Sequence, residues 1–348
     1  MKSNNRIKSA AKKALYGDIT KIVYLGGSVT AGYMPGSVTE YKNYARLSFD
    51  FFCEKTRNNS NLYLNLGFSG ASSLLGLSLT DRFLKTYRPD IVFVEYAIND
   101  SIDNESMLAY EGLIRKLLAI ESRPAVIPLH VPNSEFFTAE SYMSPIDDHY
   151  GLETISASDN LKKLIDERKI KWLDYSSDNG HPNKWGHKFI AEQISKYFSR
   201  IWKEKFIPEL KCDIEPYYSN EYSCYRNIDF ENIRDLYMSG FVFDGKGELF
   251  PCGITSTGER QSTVSFTEKF RILFIIFQQS NNVNCGELQV YIDNNYTENI
   301  SGYSVHGWNN PCMKIICNND TETFHDVKLV MKNSDGKRFI HIYGMGAC

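Results

Sequence analysis

Residues 91–100 read IVFVEYAIND. The first six positions are apolar except for Glu95, a pattern typical of a strand that is covered on both faces, as in a parallel sheet. Similar β-rich runs are found at 22–25, 62–66, 125–129 and 170–174. The segments between and after these runs have a helical period; they are 41–55, 73–87, 107–121, 160–168 and 185–202. We therefore predict a three-layer α/β/α sandwich around a parallel five-stranded sheet.

The second half of the chain has a different pattern. From about residue 206, short strand-like runs alternate with turn residues such as Asp244-Gly245 and Asp335-Gly336, and only 230–237 suggests a short helix. Short strands at this spacing predict an antiparallel β-sandwich with a jelly-roll-like arrangement. The predicted organisation is an α/β domain over 1–205, a linker over 206–220 and the β-sandwich over 221–348.

Composition excludes several classes of protein. The 348 residues suggest two domains, and a formal net charge of -3 leaves no global basic field for nucleic acid. The apolar runs are too short to span a membrane. The first 18 residues are basic but lack the apolar core of a secretory signal, which predicts a cytoplasmic protein whose N-terminal helix is solvated, although export by another route stays open.

Cysteine spacing does not predict a metal site. Seven of the eight cysteines lie beyond residue 200, and no pair has the CxxC spacing of a zinc site. Without a secretory signal the pattern favours free thiols in a reducing compartment, but disulfides in the second half stay open.

Three motifs follow the first three predicted strands. Residues 26–30 read GGSVT and place the Ser28 hydroxyl directly after a buried strand, although Thr30 stands where the G-x-S-x-G motif of α/β-hydrolases has glycine. Gly70 opens the next predicted helix and offers a backbone N–H, or serves packing alone. Asn99 and Asp100 follow the third strand; we expect Asn99 to face the cleft and Asp100 or a later Asn or Ser to cap the helix that follows.

A fourth motif, residues 178–187, reads DNGHPNKWGH and follows the last predicted strand. Asp178 and His181 are three residues apart, so the carboxylate can reach the imidazole Nδ1–H and leave Nε2 free to accept a proton. Asp174 is a competing carboxylate, and His187 is expected to be structural. Because carboxyl ends of parallel strands meet at one edge of a sheet, all four motifs are expected to converge.

The order Ser, Gly, Asn, Asp-x-x-His resembles the SGNH (GDSL-like) hydrolase superfamily over about the first 205 residues. The resemblance implies a flavodoxin-like catalytic domain with Ser28 as nucleophile. It implies an oxyanion hole made by the N–H groups of Ser28 and Gly70 and the side chain of Asn99. His181 would be the general base and acid and Asp178 its orienting partner, with no metal or organic cofactor.

One position departs from the commonest form of the family, because Gly27 replaces an aspartate. A GGS variant occurs among bacterial members, so the departure does not by itself suggest loss of activity.

The expected substrate is a small-molecule or glycan ester. The second half resembles jelly-roll modules of carbohydrate-acting SGNH enzymes, and Trp308 is a candidate sugar-stacking residue. His130, Tyr33 and Met34 are candidates for lining the acyl or sugar pocket. We predict a serine esterase that removes short acyl groups, above all acetyl, from a carbohydrate. An O-acyltransferase acting on a sugar, a lipid esterase or thioesterase, and a non-catalytic carbohydrate-binding protein stay open, as does the oligomeric state.

Overall fold

The computed structural model describes residues 4–35, 41–203, 214–245, 247–333 and 336–348. The chain divides into two compact units, one formed by Met1–Gly76 with Leu84–Asn220 and the other by Leu77–Phe83 with Glu221–Cys348. Part of the predicted linker, 206–213, lies outside the described residues. Each unit is described by itself below.

The described part of the first unit contains a five-stranded parallel sheet in the order β2-β1-β3-β4-β5. Its strands are β1 (Lys21–Gly26), β2 (Leu62–Gly67), β3 (Ile91–Glu95), β4 (Ala125–His130) and β5 (Ile155–Ser156). Every residue of β3 is buried, as its nearly continuous apolar run predicts. The predicted α/β fold is confirmed.

Helices cover this sheet; each predicted helical segment forms a helix, and further helices lie before and between them. The helices are α1 (Asn4–Leu15), α2 (Ser28–Ala31), α3 (Tyr44–Thr56), α4 (Ser73–Leu79), a π-helical turn (Thr80–Leu84) running into α5 (Lys85–Tyr87), α6 (Asn104–Leu118), α7 (Glu140–His149), α8 (Ala157–Asp166), α9 (Trp172–Tyr175) and α10 (Lys184–Ile201). Aromatic and aliphatic side chains of α3, β1, β3 and α10 pack together in the core. In the part of the chain that is described, no helix has the length and apolar character needed to cross a membrane.

The prediction of a fifth strand at 170–174 is wrong. Residues Trp172–Tyr175 form the short helix α9, and the fifth strand is the two-residue β5, which pairs with Leu129 and His130 of β4. The Asp174 carboxylate accepts a hydrogen bond from the Lys171 N–H at 2.8 Å, a local cap that favours a helical turn over an extended chain.

The N-terminal helix is less solvated than its basic composition predicts. One face of α1 is buried through Ile7, Ala10, Ala11 and Ala14. Lys13 on another face pairs with Asp90 at 2.8 Å. Small apolar residues at helical spacing therefore dock the helix on the α/β unit.

The described part of the second unit forms a nine-stranded antiparallel network with an apolar core. Its strands are β6 (Arg226–Ile228), β7 (Tyr237–Ser239), β8 (Phe241–Phe243), β9 (Ile254–Ser256), β10 (Gln261–Ser280), β11 (Glu287–Ile292), β12 (Asn295–Ser301), β13 (Trp308–Lys332) and β14 (His341–Ala347). The predicted 230–237 helix is reduced to a 3₁₀ turn, Phe230–Asn232. The antiparallel β-sandwich is confirmed, and the jelly-roll connection order stays a prediction.

The hairpin between β11 and β12 has the backbone conformation that its sequence predicts. Asp293 and Asn294 both have positive φ (50° and 63°), as a tight hairpin between β11 and β12 requires. The seven described cysteines are free thiols, and Cys212 lies outside the described residues.

Candidate active site

The first and last predicted motifs meet at one edge of the parallel sheet. Ser28 is the first residue of α2, directly after β1, and its Oγ lies 2.9 Å from His181 Nε2. The two residues are 153 positions apart in the chain. The fold thus places a hydroxyl and an imidazole at hydrogen-bonding distance, the geometry that activation of a serine requires.

Asp178 orients the imidazole of His181. Its Oδ2 lies 2.8 Å from His181 Nδ1, and its Oδ1 accepts hydrogen bonds from the N–H groups of Gly180 at 2.9 Å and His181 at 2.7 Å. Because an ionised carboxylate only accepts, Nδ1 must carry the proton, and Nε2 is left to accept from Ser28 Oγ–H.

The same contacts keep Asp178 ionised. Burial alone would raise the pKa of Asp178, but the N–H groups of Gly180 and His181 and the His181 ring lower that pKa below its ordinary value. A carboxylate that stays charged can stabilise the imidazolium that forms when His181 takes a proton.

The loop that carries His181 is held by hydrogen bonds of its own. Trp172 Nε1 donates to the carbonyl oxygen of Asp178 at 2.7 Å, and Ser176 Oγ donates to Asp178 Oδ1 at 3.1 Å. Asn183 caps α10 through its Oδ1. The competing carboxylate, Asp174, caps α9 and is not paired with His181. The loop therefore follows a helical turn instead of the predicted strand.

Asn99 lies beside the turn that carries Ser28. A Cβ built on Gly27 would stand 2.1 Å from Asn99 Oδ1, so a side chain at position 27 and this amide cannot occupy the same space. This contact gives a physical reason for glycine at a position where the resembling family commonly has aspartate. The predicted oxyanion-hole amide is thus next to the backbone that precedes Ser28.

Gly70 lies in a turn attached to the same edge. Phe68 N–H donates to the carbonyl oxygen of Gly26 at 3.0 Å, and Ala71 N–H donates to that of Phe68 at 3.0 Å. Gly70 itself has a φ of +71°. The helix that follows begins only at Ser73, so Gly70 precedes α4 instead of opening it as predicted.

Asp100 caps a helix, but not the one that follows it in the chain. Its Oδ1 accepts from Ser73 N–H at 2.8 Å, which caps α4, whereas Asp103 caps α6 by accepting from Ser106 N–H. Burial raises the pKa of Asp100 to about 7. The contact ties the chain after β3 to the helix after Gly70.

Residues 24–189 match the family model of the GDSL-like lipase/acylhydrolase family. Over this segment the chain is similar to that family. The matched segment contains all four motifs, from Ser28 to His181, and therefore the site described above. We call residues 24–189 the GDSL-like domain. The expectation of a carboxylic ester hydrolase of the SGNH (GDSL-like) type is confirmed at the level of the family.

Two solved structures resemble the chain along nearly its whole length. One is a two-domain esterase (CEX) active on acetylated mannans, with 20% identity and a TM-score of 0.88, covering 99% of this chain and 95% of that one. The other is the same kind of esterase co-crystallised with mannopentaose, with 20% identity, a TM-score of 0.86 and coverage of 98% and 94%. At 20% identity, this similarity shows that the chain shares the fold of these esterases. No curated protein sequence matches the chain significantly.

Of the residues predicted to line the pocket, Tyr33 contacts His181. Its ring lies edge-on to the His181 imidazole, with centroids 4.5 Å apart, and is 45% exposed. Met34 follows it in the chain and is half-buried. Trp308, in the second unit, is 58% exposed and available to a ligand.

The prediction that His130 lines the pocket is wrong. His130 is buried, and its Nε2 lies 3.0 Å from Asp147 Oδ2. Asp147 also accepts from the hydroxyls of Tyr110 and Thr154. His130 therefore belongs to a buried polar network of the GDSL-like domain.

Sequence reasoning missed a second buried network beside Ser28. Thr30 Oγ1 donates to Glu95 Oε2 at 2.8 Å, and the hydroxyls of Thr30 and Tyr44 are 2.6 Å apart. The available signal was Glu95 itself, the one charged residue within the apolar run of β3. His187 is buried against Tyr44, and burial lowers its pKa to about 4, so it is neutral and structural as expected.

Proposed function

We propose that this protein is a serine esterase that removes short acyl groups, above all acetyl, from a carbohydrate. The supporting observation is the continuous hydrogen-bonded series from Ser28 Oγ through His181 to Asp178, with distances of 2.9 and 2.8 Å. The GDSL-like family supplies the reaction class, because its members are described as lipases or acylhydrolases.

The proposed reaction proceeds through an acyl-enzyme. His181 Nε2 takes the proton as Ser28 Oγ attacks the ester carbonyl carbon, and the carbonyl oxygen becomes an oxyanion. The N–H groups of Ser28 and Gly70 and the Asn99 amide donate hydrogen bonds to this oxyanion. The bond from the carbonyl carbon to the sugar oxygen then breaks as His181 protonates that oxygen, and the sugar leaves with a free hydroxyl. Water repeats the sequence on the acyl-enzyme and releases the acid and free Ser28. No metal or organic cofactor takes part in these steps.

The proposed substrate class is an acetylated glycan. The two-domain esterase with the same fold over both units is active on acetylated mannans, and one of its structures was obtained with mannopentaose. In this chain, Tyr33 beside His181 is a candidate for limiting the acyl group, and exposed Trp308 is a candidate for stacking on a sugar ring.

The deciding experiment compares Ser28→Ala with Ser60→Ala. Ser60 is exposed before β2, which makes it a matched control. Acetate release from acetylated mannan and from an aryl acetate is measured, together with covalent labelling by a fluorophosphonate. Only Ser28→Ala is expected to lose all three signals while staying folded. Full activity in Ser28→Ala would reject the nucleophile.

Product analysis distinguishes hydrolysis from transfer. Reactions with an added sugar acceptor are expected to yield free acetate. Transfer of the acetyl group to the acceptor in place of water would assign the same residues to an O-acyltransferase.

A further inference from the structure

Thr30 joins the serine turn to the neighbouring strand. It lies two residues after Ser28 in α2, and its hydroxyl donates to Glu95 Oε2 at 2.8 Å. Because a hydroxyl has a single proton to donate, the 2.6 Å contact with Tyr44 requires Tyr44 O–H to donate to Thr30 Oγ1. Thr30, Tyr44 and Glu95 are all fully buried. The result is one directed series, Tyr44 to Thr30 to Glu95.

Glu95 holds the turn on both sides of Ser28. Its main-chain carbonyl accepts from Gly27 N–H at 3.2 Å, before the serine, and its side chain accepts from Thr30, after it. A Cβ on Gly26 would stand 2.3 Å from Thr30 Oγ1 and 2.6 Å from the Glu95 carbonyl oxygen, so glycine at 26 permits this close approach. The turn is therefore attached to β3 at two points that flank the reactive hydroxyl.

Burying a carboxyl group at position 95 costs free energy of folding unless the group makes such a hydrogen bond. The other residues of β3 are apolar and packed on both faces, where an aliphatic side chain would be the stable choice. Burial raises the pKa of Glu95 to about 7, and the Thr30 hydrogen bond opposes this rise. The placement of a titratable group there is explained by its partner on the serine turn.

We propose that Thr30 and Glu95 are positioning residues that fix the turn carrying Ser28, so that Ser28 Oγ stays within hydrogen-bonding range of His181 Nε2. The inference rests on the proposed role of Ser28 as nucleophile. Reaction rates are sensitive to such geometry, because misplacement of a reacting atom by about 1 Å can cost about 10²-fold.

Thr30→Val and Thr30→Ser separate positioning from packing. Valine keeps the shape and removes the hydroxyl, whereas serine keeps the hydroxyl. Thr30→Val is expected to lower kcat on an aryl acetate and the fluorophosphonate labelling rate together by about tenfold or more, with KM changed by less than about twofold. Thr30→Ser is expected to retain most of both rates, and Glu95→Gln to retain more activity than Glu95→Leu because its amide oxygen still accepts.

Thr154→Val is the matched control. Thr154 Oγ1 donates to the buried Asp147 carboxylate at 3.1 Å, the same type of contact in the other network. This variant is expected to lose stability without a fall in labelling rate. A packing role for Thr30 would instead lower the melting temperature of Thr30→Val and leave its kcat unchanged.

The outcomes are distinguishable from those of the proposed function. If Thr30→Val does not fold, Thr30→Ala provides a second variant without the hydroxyl. Wild-type kcat and labelling rate in either folded variant would overturn the positioning role. Activity in Ser28→Ala, or absence of labelling in the wild type, would instead reject the nucleophile itself.

Discussion

Gly27 and Asn99 lie so close together that a Cβ at position 27 would stand 2.1 Å from Asn99 Oδ1, and the Asn99 amide would have to move to admit it. The two residues follow neighbouring parallel strands, β1 and β3, whose register pairs Gly26 with Glu95. The sheet therefore determines that the proposed oxyanion-hole amide lies beside the proposed nucleophile. Glycine at 27 leaves free the space that the Asn99 amide occupies.

Gly27→Ala is expected to displace the Asn99 amide. Loss of one oxyanion-hole donor typically lowers kcat by about 10²–10³-fold, and we expect a fall of that order with KM little changed. Asn99→Ala should have a similar effect. Because both changes remove the same interaction, the double variant should be hardly slower than either single one in aryl acetate kinetics. Near wild-type kcat in Asn99→Ala would show that Asn99 is not a donor.

Asp178→Asn and Asp174→Asn form a second comparison. The asparagine at 178 loses the charge that stabilises the His181 imidazolium, and we expect kcat to fall by about 10²–10⁴-fold, less than in His181→Ala. Asp174 caps α9 through Lys171 N–H, a bond that an asparagine oxygen can also accept. Asp174→Asn should therefore retain activity. A large loss of kcat in this variant would show that Asp174, and not Asp178, is the carboxylate that orients His181.

The strands with long apolar runs were predictable from sequence. A run such as 91–96, apolar on both faces, is stable only when it is covered on both sides, and β3 is fully buried. The two-residue β5 leaves no such pattern, and the apolar residues Trp172 and Leu173 belong to α9 because Asp174 caps that turn. Helix α7 also escaped prediction; it contains Pro145, a residue that disfavours helix interiors.

The site was predictable where its residues are close in sequence or follow strands. Asp178 and His181 are three residues apart, so their contact is local. Thr30 and Glu95 are 65 residues apart and meet only through the pairing of β1 with β3. His130 also lies at the carboxyl end of a strand, β4, yet its side chain pairs with Asp147 inside the core. Position at a strand end does not specify which way a side chain points.

Tyr33→Ala tests the acyl-group preference. The ring lies edge-on to His181 at 4.5 Å, and its removal should leave room for longer acyl chains. We expect the ratio of kcat/KM for an aryl butyrate to that for an aryl acetate to rise by about tenfold, the order that one or two methylenes contribute in a pocket. Tyr33→Phe keeps the ring and should keep the ratio. An unchanged ratio in Tyr33→Ala would place the acyl pocket elsewhere.

Trp308→Ala tests the stacking residue of the second unit. Stacking on a sugar ring contributes to glycan binding but not to chemistry on an aryl acetate. We expect KM for acetylated mannan to rise by about tenfold while aryl acetate kinetics stay unchanged. Phe324 is a matched control, because it is also an exposed aromatic residue on β13. Equal effects of Phe324→Ala and Trp308→Ala would argue against a specific role for Trp308.

Glu111 holds the chain segment that precedes the second unit. Its buried carboxylate accepts from Tyr150 O–H at 2.5 Å and from the N–H groups of Tyr217 at 2.5 Å, Tyr218 at 2.8 Å and Ser219 at 3.0 Å. Burial alone would raise the pKa of Glu111, but these four donors lower that pKa below its ordinary value. The carboxylate is therefore bound in its charged form in the folded protein.

Stability of the first unit should consequently depend on the ionisation of Glu111. With a folded-state pKa below the unfolded value of about 4.3, its contribution is fully present above that pH and is lost as pH falls toward the folded-state pKa. Glu111→Gln should lower the free energy of unfolding at pH 7 by about 1.5–3 kcal/mol, the value of hydrogen bonds to a charged group. Denaturant unfolding from pH 7 to pH 3 should show the difference from wild type shrinking. Glu121→Gln, which removes an exposed pair with Arg88, should change stability little at any pH. If the free energies of unfolding of Glu111→Gln and wild type differ by the same amount down to pH 3, Glu111 acts by packing alone.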